Sequence, residues 1–417
     1  MNLLLAILLF TVLSGAIRKW LVSASAVSNA ILFVQLLTPF AFAAFVRIPP
    51  ESSGRRFHPV LIMLTVLLVI LAANPINQTV FHGIFGVIIH LGFWLMIFIY
   101  LEHRAEFPLE KLTTAVLILT VVEFVLSYFQ YLLPAGHFLN KYANEEAVYA
   151  IAKVGNLIRT TGTFSYLSGF GSFVTFIAFV TWGQGVRSQN GWYRWLFLGM
   201  GVLMSLFSGA RAIILIMVVF SIFSLLPYLH FQALAPMLVR SVIILFIAAY
   251  GLFQLPLFKL GISNMQKRIT ENVEEGETRT RIVGTVAEII DFRGQFPLLG
   301  VGLGATYQGS NAIWGESYYL KNYGYYEEEG ERIILEGGYV LYLVRVLLFS
   351  LMFSRLYGPW PYKLLLFALM LLYTNMVFNT YNTIFFFFGL AYIDRCYFLN
   401  VSSGNDQVPN ENHRLTS

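Results

Sequence analysis

The sequence is poor in charge and in cysteine. Only 12% of its 417 residues are Asp, Glu, Lys or Arg, whereas soluble proteins carry about 25%. So few charges cannot cover a surface exposed to water, and a soluble globular protein is therefore excluded. The lone cysteine, Cys396, rules out an intrachain disulfide, and no group of Cys and His has the spacing of a zinc site.

Apolar residues make up 57% of the chain, and its mean hydropathy is +0.69. A transmembrane helix needs about 20 mostly apolar residues, within a range of about 17–25. By that criterion the sequence has twelve candidate spans, so we predict an all-α polytopic membrane protein. The spans cover residues 2–17, 22–46, 59–77, 79–101, 112–133, 166–182, 195–208, 211–228, 239–258, 336–354, 362–378 and 382–399.

Two connections between spans are long, residues 134–165 and residues 259–335. The N-terminal string MNLLLAILLF lacks a basic n-region and a cleavage site, which indicates a first span that is retained. The domains that we predict are a transmembrane bundle over 1–258, an extracytoplasmic loop over 259–335, further spans over 336–399 and a disordered cytoplasmic tail over 400–417.

Lys and Arg are distributed unevenly between the short loops on the two sides. Cytoplasmic loops of membrane proteins carry an excess of these residues. If both termini are cytoplasmic, that side holds twelve of them, and the opposite short loops hold only Arg18, Lys19 and Arg211. The twelve are Arg47, Arg55, Arg56, Arg104, Lys111, Arg187, Arg194, Arg240, Arg355, Lys363, Arg395 and Arg414. We therefore predict cytoplasmic termini, and a positive charge that orients the chain in the bilayer instead of binding nucleic acid.

Two ionisable residues fall deep inside predicted spans. Glu123 is followed by Ser127 and Gln130, which makes one polar stripe on an apolar helix. Arg345 lies about nine residues inside the tenth span. An ionisable group in the bilayer marks a functional site by default. We favour a structural ion pair between Glu123 and Arg345, with Gln130 and Tyr342 as further partners, over a contact with substrate.

Arg211 interrupts an apolar hairpin in the string FSGARAIIL, at its outer boundary. The small residues beside it allow close backbone approach, and a planar guanidinium binds the oxygens of a phosphate or diphosphate bidentately. An anchor to lipid headgroups explains the residue equally well. Arg18, Lys19 and Trp20 also lie together at the outer surface, where we interpret them as interface anchors.

The loop 259–335 contains an amphipathic pattern in TRTRIVGTVAEIIDF, which predicts a helix over 279–292. Arg279 and Arg281 open this helix, where positive charge opposes the helix dipole and indicates an anionic partner. The glycines of LLGVGLGATYQG follow and allow a tight turn. No βαβ pattern surrounds them, so we reject a dinucleotide site.

Two carboxylates precede the tenth span. Glu331 and Glu336 lead directly into it, and Glu336 stands before two glycines at the predicted helix start. A carboxylate placed there can take a proton from a sugar hydroxyl, or it can simply complement the helix dipole. We favour the first interpretation. A further polar string, RTTGTF, begins with Arg159 and enters the sixth span.

The order of these strings resembles the bacterial O-antigen ligase and polymerase superfamily of membrane glycosyltransferases. RTTGTF precedes a span, SGAR lies at a hairpin, and a long outer loop has an Arg-led helix, FPLLGVGLG and a Glu-Gly helix start. The resemblance covers roughly residues 120–350. It implies a GT-C-type bundle whose outer loop covers a lipid-lined cavity, and donor glycans carried on undecaprenyl diphosphate.

The resemblance also implies roles for individual residues. Arg211 and Arg281, or its neighbour Arg279, match arginines that hold the diphosphate in the family, and we add Arg159 to this set. Ligases of the family have a His in the outer loop as the acceptor base, but residues 259–335 contain no His. That departure leaves Glu331 or Glu336 as the base. Because arginines can neutralise the diphosphate and no Asp-x-Asp pair occurs in the outer loops, we expect neither a metal nor another cofactor.

The function that we predict is polymerisation of undecaprenyl-diphosphate-linked repeat units of a surface polysaccharide at a bacterial inner membrane. One alternative is an O-antigen ligase that transfers glycan to a lipid acceptor. Another, from a different class, is a carrier that transports the lipid-linked glycan. The expected partners are the lipid-linked donor, an acceptor glycan-lipid, the bilayer, a flippase and a chain-length regulator, but no nucleic acid.

Overall fold

Apolar helices carry almost all of the regular structure in this computed structural model. It describes residues 2–22, 25–46, 57–74, 79–143, 153–154, 157–187, 191–225, 298–323, 329–372 and 374–405. Within those ranges, seven helical segments are long and apolar enough to cross a membrane. They are Leu3–Leu21, Ala26–Phe45, Val80–Glu102, Leu109–Leu132, Leu167–Arg187, Glu329–Arg355 and Thr380–Val401. These helices confirm the prediction of an all-α polytopic membrane protein, whereas the number of twelve spans stays a prediction.

The helices follow the predicted order along the chain. In the N-terminal part they are α1 Asn2–Ala16, a π-helical turn Ile17–Leu21, α2 Ser25–Phe45, α3 His58–Ala72, α4 Val80–Glu102, α5 Leu109–Leu132, α6 Leu167–Arg187, α7 Trp192–Ser208 and α8 Arg211–Leu225. After residue 297 they are α9 Gln308–Trp314, α10 Tyr318–Tyr323, α11 Glu329–Arg355, α12 Trp360–Leu372 and α13 Thr380–Asn405.

Two predicted spans are shorter than expected, and three predicted elements lie outside the described residues. The apolar helices α3 and α12 have 15 and 13 residues, fewer than the about 20 that a perpendicular span requires. Two-residue strands at Lys153–Val154 and Leu157–Ile158 pair in antiparallel fashion before α6. The predicted span 239–258, the helix 279–292 and the tail beyond residue 405 lie outside the described residues.

Helix α6 lies at the centre of the bundle. Its membrane-crossing stretch is entirely buried, and the helix packs against α7, α8 and α13. Aromatic rings fill these contacts; for example, Phe176 stacks on Phe385 with 5.7 Å between centroids. Gly183 lets α6 approach α13 closely, because a Cβ at that position would lie 2.7 Å from the ring of Tyr392. Small residues therefore set the separation of these helices, as in many membrane bundles.

Helix α11 is two helical segments joined at a kink. Gly338 there has φ +67° and ψ −175°, a conformation that side-chain-bearing residues rarely adopt. A Cβ on Gly338 would also lie 1.8 Å from the carbonyl oxygen of Leu298. The first segment begins at Glu329, and the predicted helix start at Glu336 is wrong. Glu336 instead lies in the last turn before the kink.

Candidate functional site

Arg18 and Lys19 point into the protein at the end of α1. They lie in the π-helical turn Ile17–Leu21, and both are buried. Arg18 donates from Nε to Ser28 Oγ and from Nη1 to Ser165 Oγ, both at 2.9 Å. The interpretation of these two cations as anchors at the membrane interface is therefore wrong. A π turn, which departs from ordinary helix geometry, is frequently found at functional sites.

The RTTGTF string forms a turn that α5 holds in place. The side-chain oxygen of Gln130 accepts from the backbone N–H of Thr161 at 3.1 Å and of Gly162 at 2.8 Å. Lys19 Nζ donates to Thr161 Oγ1 and to the carbonyl oxygen of Gly162, both at 2.8 Å. Gly162 has φ +54°, and a Cβ there would lie 1.9 Å from Glu123 Oε2. Only glycine fits this turn.

Glu123 belongs to the same network. Its carboxylate accepts from the backbone N–H of Thr163 at 3.0 Å and, in a very short contact, from the Thr163 hydroxyl. Lys19 is close enough to attract it electrostatically. Ser127 and Gln130, on the same stripe, are also fully buried. The polar stripe predicted on α5 is thus confirmed as an inward face, and the RTTGTF turn is what it contacts.

The structure corrects the predicted ion pair between Glu123 and Arg345. Arg345 pairs with Glu329 instead, and each of these side chains is 4% exposed. Arg345 Nη2 also donates to the carbonyl oxygen of Met370 at 3.1 Å, and Glu329 Oε2 accepts from the backbone N–H of Val377 at 2.6 Å. The prediction missed this partner because it began the helix after Glu329.

The SGAR hairpin lies beside the RTTGTF turn. Arg159 Nε donates to the carbonyl oxygen of Ser208 at 3.0 Å, and Thr160 N–H donates to that of Phe207 at 3.3 Å. Gly209 ends α7 in the left-handed conformation, and Arg211 begins α8. Two of the strings that carry the family resemblance are therefore neighbours in space. Arg279 and Arg281 lie outside the described residues.

Glu336 binds the glycine-rich loop, which is the segment LLGVGLGATYQG over residues 298–309. Its carboxylate accepts from the backbone N–H groups of Gly304 and Thr306 at 2.9 and 2.8 Å, and from Thr306 Oγ1 at 2.6 Å. His90 Nε2 lies 3.0 Å from Glu336 Oε2. A carboxylate has about four lone-pair sites, so these contacts leave none for an acceptor hydroxyl. The geometry gives Glu336 a role in positioning the loop.

Arg332 holds the same loop from the other side. Its guanidinium donates from Nη2 to the carbonyl oxygen of Thr306 at 2.7 Å and lies 3.7 Å from the ring centroid of Phe378. Glu331, the other predicted base, is also buried. The segment 329–337 thus brings the Glu336 carboxylate and the Arg332 guanidinium against one loop, although only their order along the chain was visible in the sequence.

His90 is a site residue that the sequence interpretation missed. It lies in the middle of α4, where it contacts Glu336 and the edge of the Phe378 ring. The available signal was the one applied to Glu123 and Arg345, since His90 is an ionisable residue within an apolar span. Arg18 and Lys19 could also have been recognised from the sequence, because they lie in a predicted outer loop, where Lys and Arg are rare.

A cavity of about 260 Å³ opens beside Arg18. Its polar lining includes Arg18 and Tyr307, whereas Leu32, Phe33 and Leu36 of α2 supply an apolar wall. Burial raises the pKa of the Tyr307 phenol, so that it remains a neutral hydrogen-bond donor. The lining residues are Arg18, Asn29, Leu32, Phe33, Leu36, Phe85, Tyr166, Tyr307, Gln308, Gly309 and Ile313.

Arg18 is a buried cation that has no acidic partner among the residues that the structure describes. Only 3% of it is exposed, and in the described part of the chain no carboxylate lies within 4.0 Å of it. Two of its nitrogens contact neutral serine hydroxyls, which leave the charge uncompensated. Burying an unpaired charge is costly. An anion in the adjoining cavity would offset this cost.

Comparison with known proteins leaves the family open. No protein-family model matches the chain, and no curated protein matches it either. Among the described residues, no group of three or more His, Cys, Asp or Glu side chains is placed to hold a metal ion.

Proposed function

We propose that this protein is a membrane glycosyltransferase that polymerises undecaprenyl-diphosphate-linked repeat units of a surface polysaccharide. The observation that carries the proposal is the buried Arg18, which has no carboxylate within 4.0 Å among the described residues and lies at a cavity with apolar side chains in its wall. A lipid diphosphate matches both features, because its phosphates need cations and its chain needs apolar surface. The proposal includes twelve spans in a GT-C-type bundle, cytoplasmic termini and a bacterial inner membrane.

The proposed reaction needs a leaving group, cations and a base. An acceptor hydroxyl attacks the anomeric carbon of the donor sugar, and a new C–O bond forms. The bond between that carbon and the diphosphate breaks, and its electron pair departs with the lipid diphosphate. Cations stabilise the charge that develops on the diphosphate. We assign this role to Arg18, Arg159, Arg211 and Arg281, with Arg279 as the alternative to Arg281.

The proton of the acceptor hydroxyl passes to a carboxylate in this scheme. Of the two predicted bases, we retain Glu331. The carboxylate of Glu336 already accepts from two backbone N–H groups, the Thr306 hydroxyl and the His90 ring. Glu336 then acts indirectly, because it fixes the loop that carries Tyr307 to the wall of the cavity.

Reconstitution tests the proposal and separates it from its alternatives. The purified protein would be placed in proteoliposomes with an undecaprenyl-diphosphate-linked repeat unit, and the products would be analysed by mass spectrometry. A polymerase produces chains of two or more repeat units and releases undecaprenyl diphosphate. A ligase releases the diphosphate only when a glycan-lipid acceptor is added. Transfer of the donor across the bilayer without any new glycosidic bond would support the carrier.

A further inference from the structure

A second cavity lies at the opposite end of the bundle from Arg18. It is a cleft of about 850 Å³ between the end of α4, the α11–α12 connection and the end of α13. Its volume is within the about 300–1,000 Å³ typical of ligand pockets. The lining residues are Phe57, Leu101, Glu102, Arg104, Ser354, Arg355, Leu356, Tyr357, Gly358, Pro359, Lys363, Tyr397 and Val401.

Three cations and one carboxylate line this cleft. Arg104 is fixed in position, because its Nε pairs with Asp394 at 2.5 Å and its Nη2 donates to the carbonyl oxygen of Arg355 at 2.7 Å. Its guanidinium also lies 4.6 Å from the ring centroid of Tyr357. The carboxylate of Glu102 is 97% buried and accepts from the backbone N–H of Phe57. It therefore contributes little negative surface to the cleft.

The other two cations have no acidic partner in the part of the chain that the structure describes. In the described part of the chain, no carboxylate lies within 4.0 Å of Arg355 or Lys363. Lys363 lies 5.1 Å from the ring centroid of Trp360, which is 63% exposed. Exposed tryptophans of membrane proteins are enriched at the level of the lipid headgroups. The cleft thus places cations at that level, and the apolar side chains of Leu101, Leu356 and Val401 line it as well.

We propose that this cleft binds the phosphate of an anionic phospholipid, with Arg355 and Lys363 as ligands beside the prepositioned Arg104. Basic pockets between transmembrane helices are suited to such headgroups. Asp394 acts here as a positioning residue, since it accepts from Arg104, from the Tyr100 hydroxyl at 2.6 Å and from the backbone N–H of Tyr357. The proposal is independent of the function proposed for the Arg18 end.

Lipid titration followed by native mass spectrometry tests this site on the full chain in detergent. Wild-type protein should bind phosphatidylglycerol at least about tenfold more tightly than phosphatidylcholine. The double variant Arg355→Ala/Lys363→Ala should lose about 10- to 30-fold in phosphatidylglycerol affinity, because two cations near the headgroup are removed. Its phosphatidylcholine affinity should not change. Neither side chain is buried, so the variant is expected to fold, which the melting temperature checks.

The matched control is Lys111→Ala/Arg187→Ala. It removes the same charge from the same end of the bundle, where Arg187 pairs with Glu110 outside the cleft. Its phosphatidylglycerol affinity should stay within about twofold of wild type. Equal losses in both double variants would overturn the proposal in favour of general surface charge. Displacement of the lipid by inorganic phosphate at low millimolar concentration would also overturn it and indicate a site for a free anion.

Discussion

Glu329 and Arg345 form a buried ion pair although 16 residues separate them within α11. A straight helix rises about 1.5 Å per residue and would hold them about 24 Å apart. The kink at Gly338 must therefore turn the segment 329–337 back along the bundle. This reversal carries Arg332 and Glu336 to the glycine-rich loop, and so it connects a membrane helix to the wall of the Arg18 cavity.

The first prediction concerns this ion pair. Replacing Arg345 by Leu should destabilise the protein by about 3–5 kcal/mol, because the buried carboxylate of Glu329 loses its counter-ion. The double variant Glu329→Gln/Arg345→Leu should be more stable than the single one. Thermal unfolding in detergent measures both. The single variant Glu329→Gln completes the cycle, and a loss in the double variant equal to the sum of the two single losses would show that the pair is not coupled.

A second prediction addresses the RTTGTF turn. Gly162→Ala should be strongly destabilising, since a Cβ would collide with Glu123 Oε2 in a left-handed backbone conformation. Gly199→Ala in α7 is the matched control, because a Cβ there meets nothing within 4 Å. That substitution should be neutral or stabilise the helix by up to about 1 kcal/mol. Similar melting temperatures for the two variants would contradict the fixed turn.

The third prediction separates the two carboxylates near the outer loop. Glu336→Gln should lower the free energy of unfolding and weaken the attachment of the loop. The amide NH₂ of Gln is a donor, and it would face a donor group that hydrogen-bonds to the carboxylate in the wild type. Glu331→Gln should abolish chain growth in a protein that still folds. Reconstituted activity and thermal unfolding, measured on both variants, distinguish the roles. Full activity in Glu331→Gln would remove it as the base.

A fourth prediction tests the arginines that the sequence pattern selected. Arg211→Ala and Arg281→Ala should each abolish product formation without preventing membrane insertion. Lysine at either position should restore little activity, because the bidentate geometry of the guanidinium is lost. Chain growth in proteoliposomes is the readout, with Lys111→Ala as the control. Wild-type activity in both alanine variants would exclude these residues from diphosphate binding.

The parts of the fold that depend on hydrophobic pattern could be predicted from the sequence. The seven membrane-crossing helices of the described residues and the inward polar stripe of α5 follow from runs and spacings that belong to single helices. The kink at Gly338 and the π turn at Arg18 could not be predicted, because both depend on partners distant along the chain. Glu329 stood in an acidic run that is typical of a solvated face, and only its contact with Arg345 shows otherwise.

The candidate site was predictable to a similar extent. The RTTGTF and SGAR strings were selected together, and the structure places them side by side. The contacts of His90 with Glu336, and of Lys19 with the RTTGTF turn, were not foreseen. Each joins residues at least 142 positions apart, so no local spacing could indicate them.

Chain growth by wild-type protein and by Arg18→Ala, measured in proteoliposomes that contain an undecaprenyl-diphosphate-linked repeat unit, tests the assignment of the Arg18 cavity to a lipid diphosphate. Wild type should produce polymer, and Arg18→Ala should lose at least about 100-fold in rate, the size of loss typical when one stabilising donor is removed. Lys111→Ala should retain wild-type activity. No polymer from wild-type protein, or undiminished growth with Arg18→Ala, would contradict the assignment of this cavity to the lipid diphosphate.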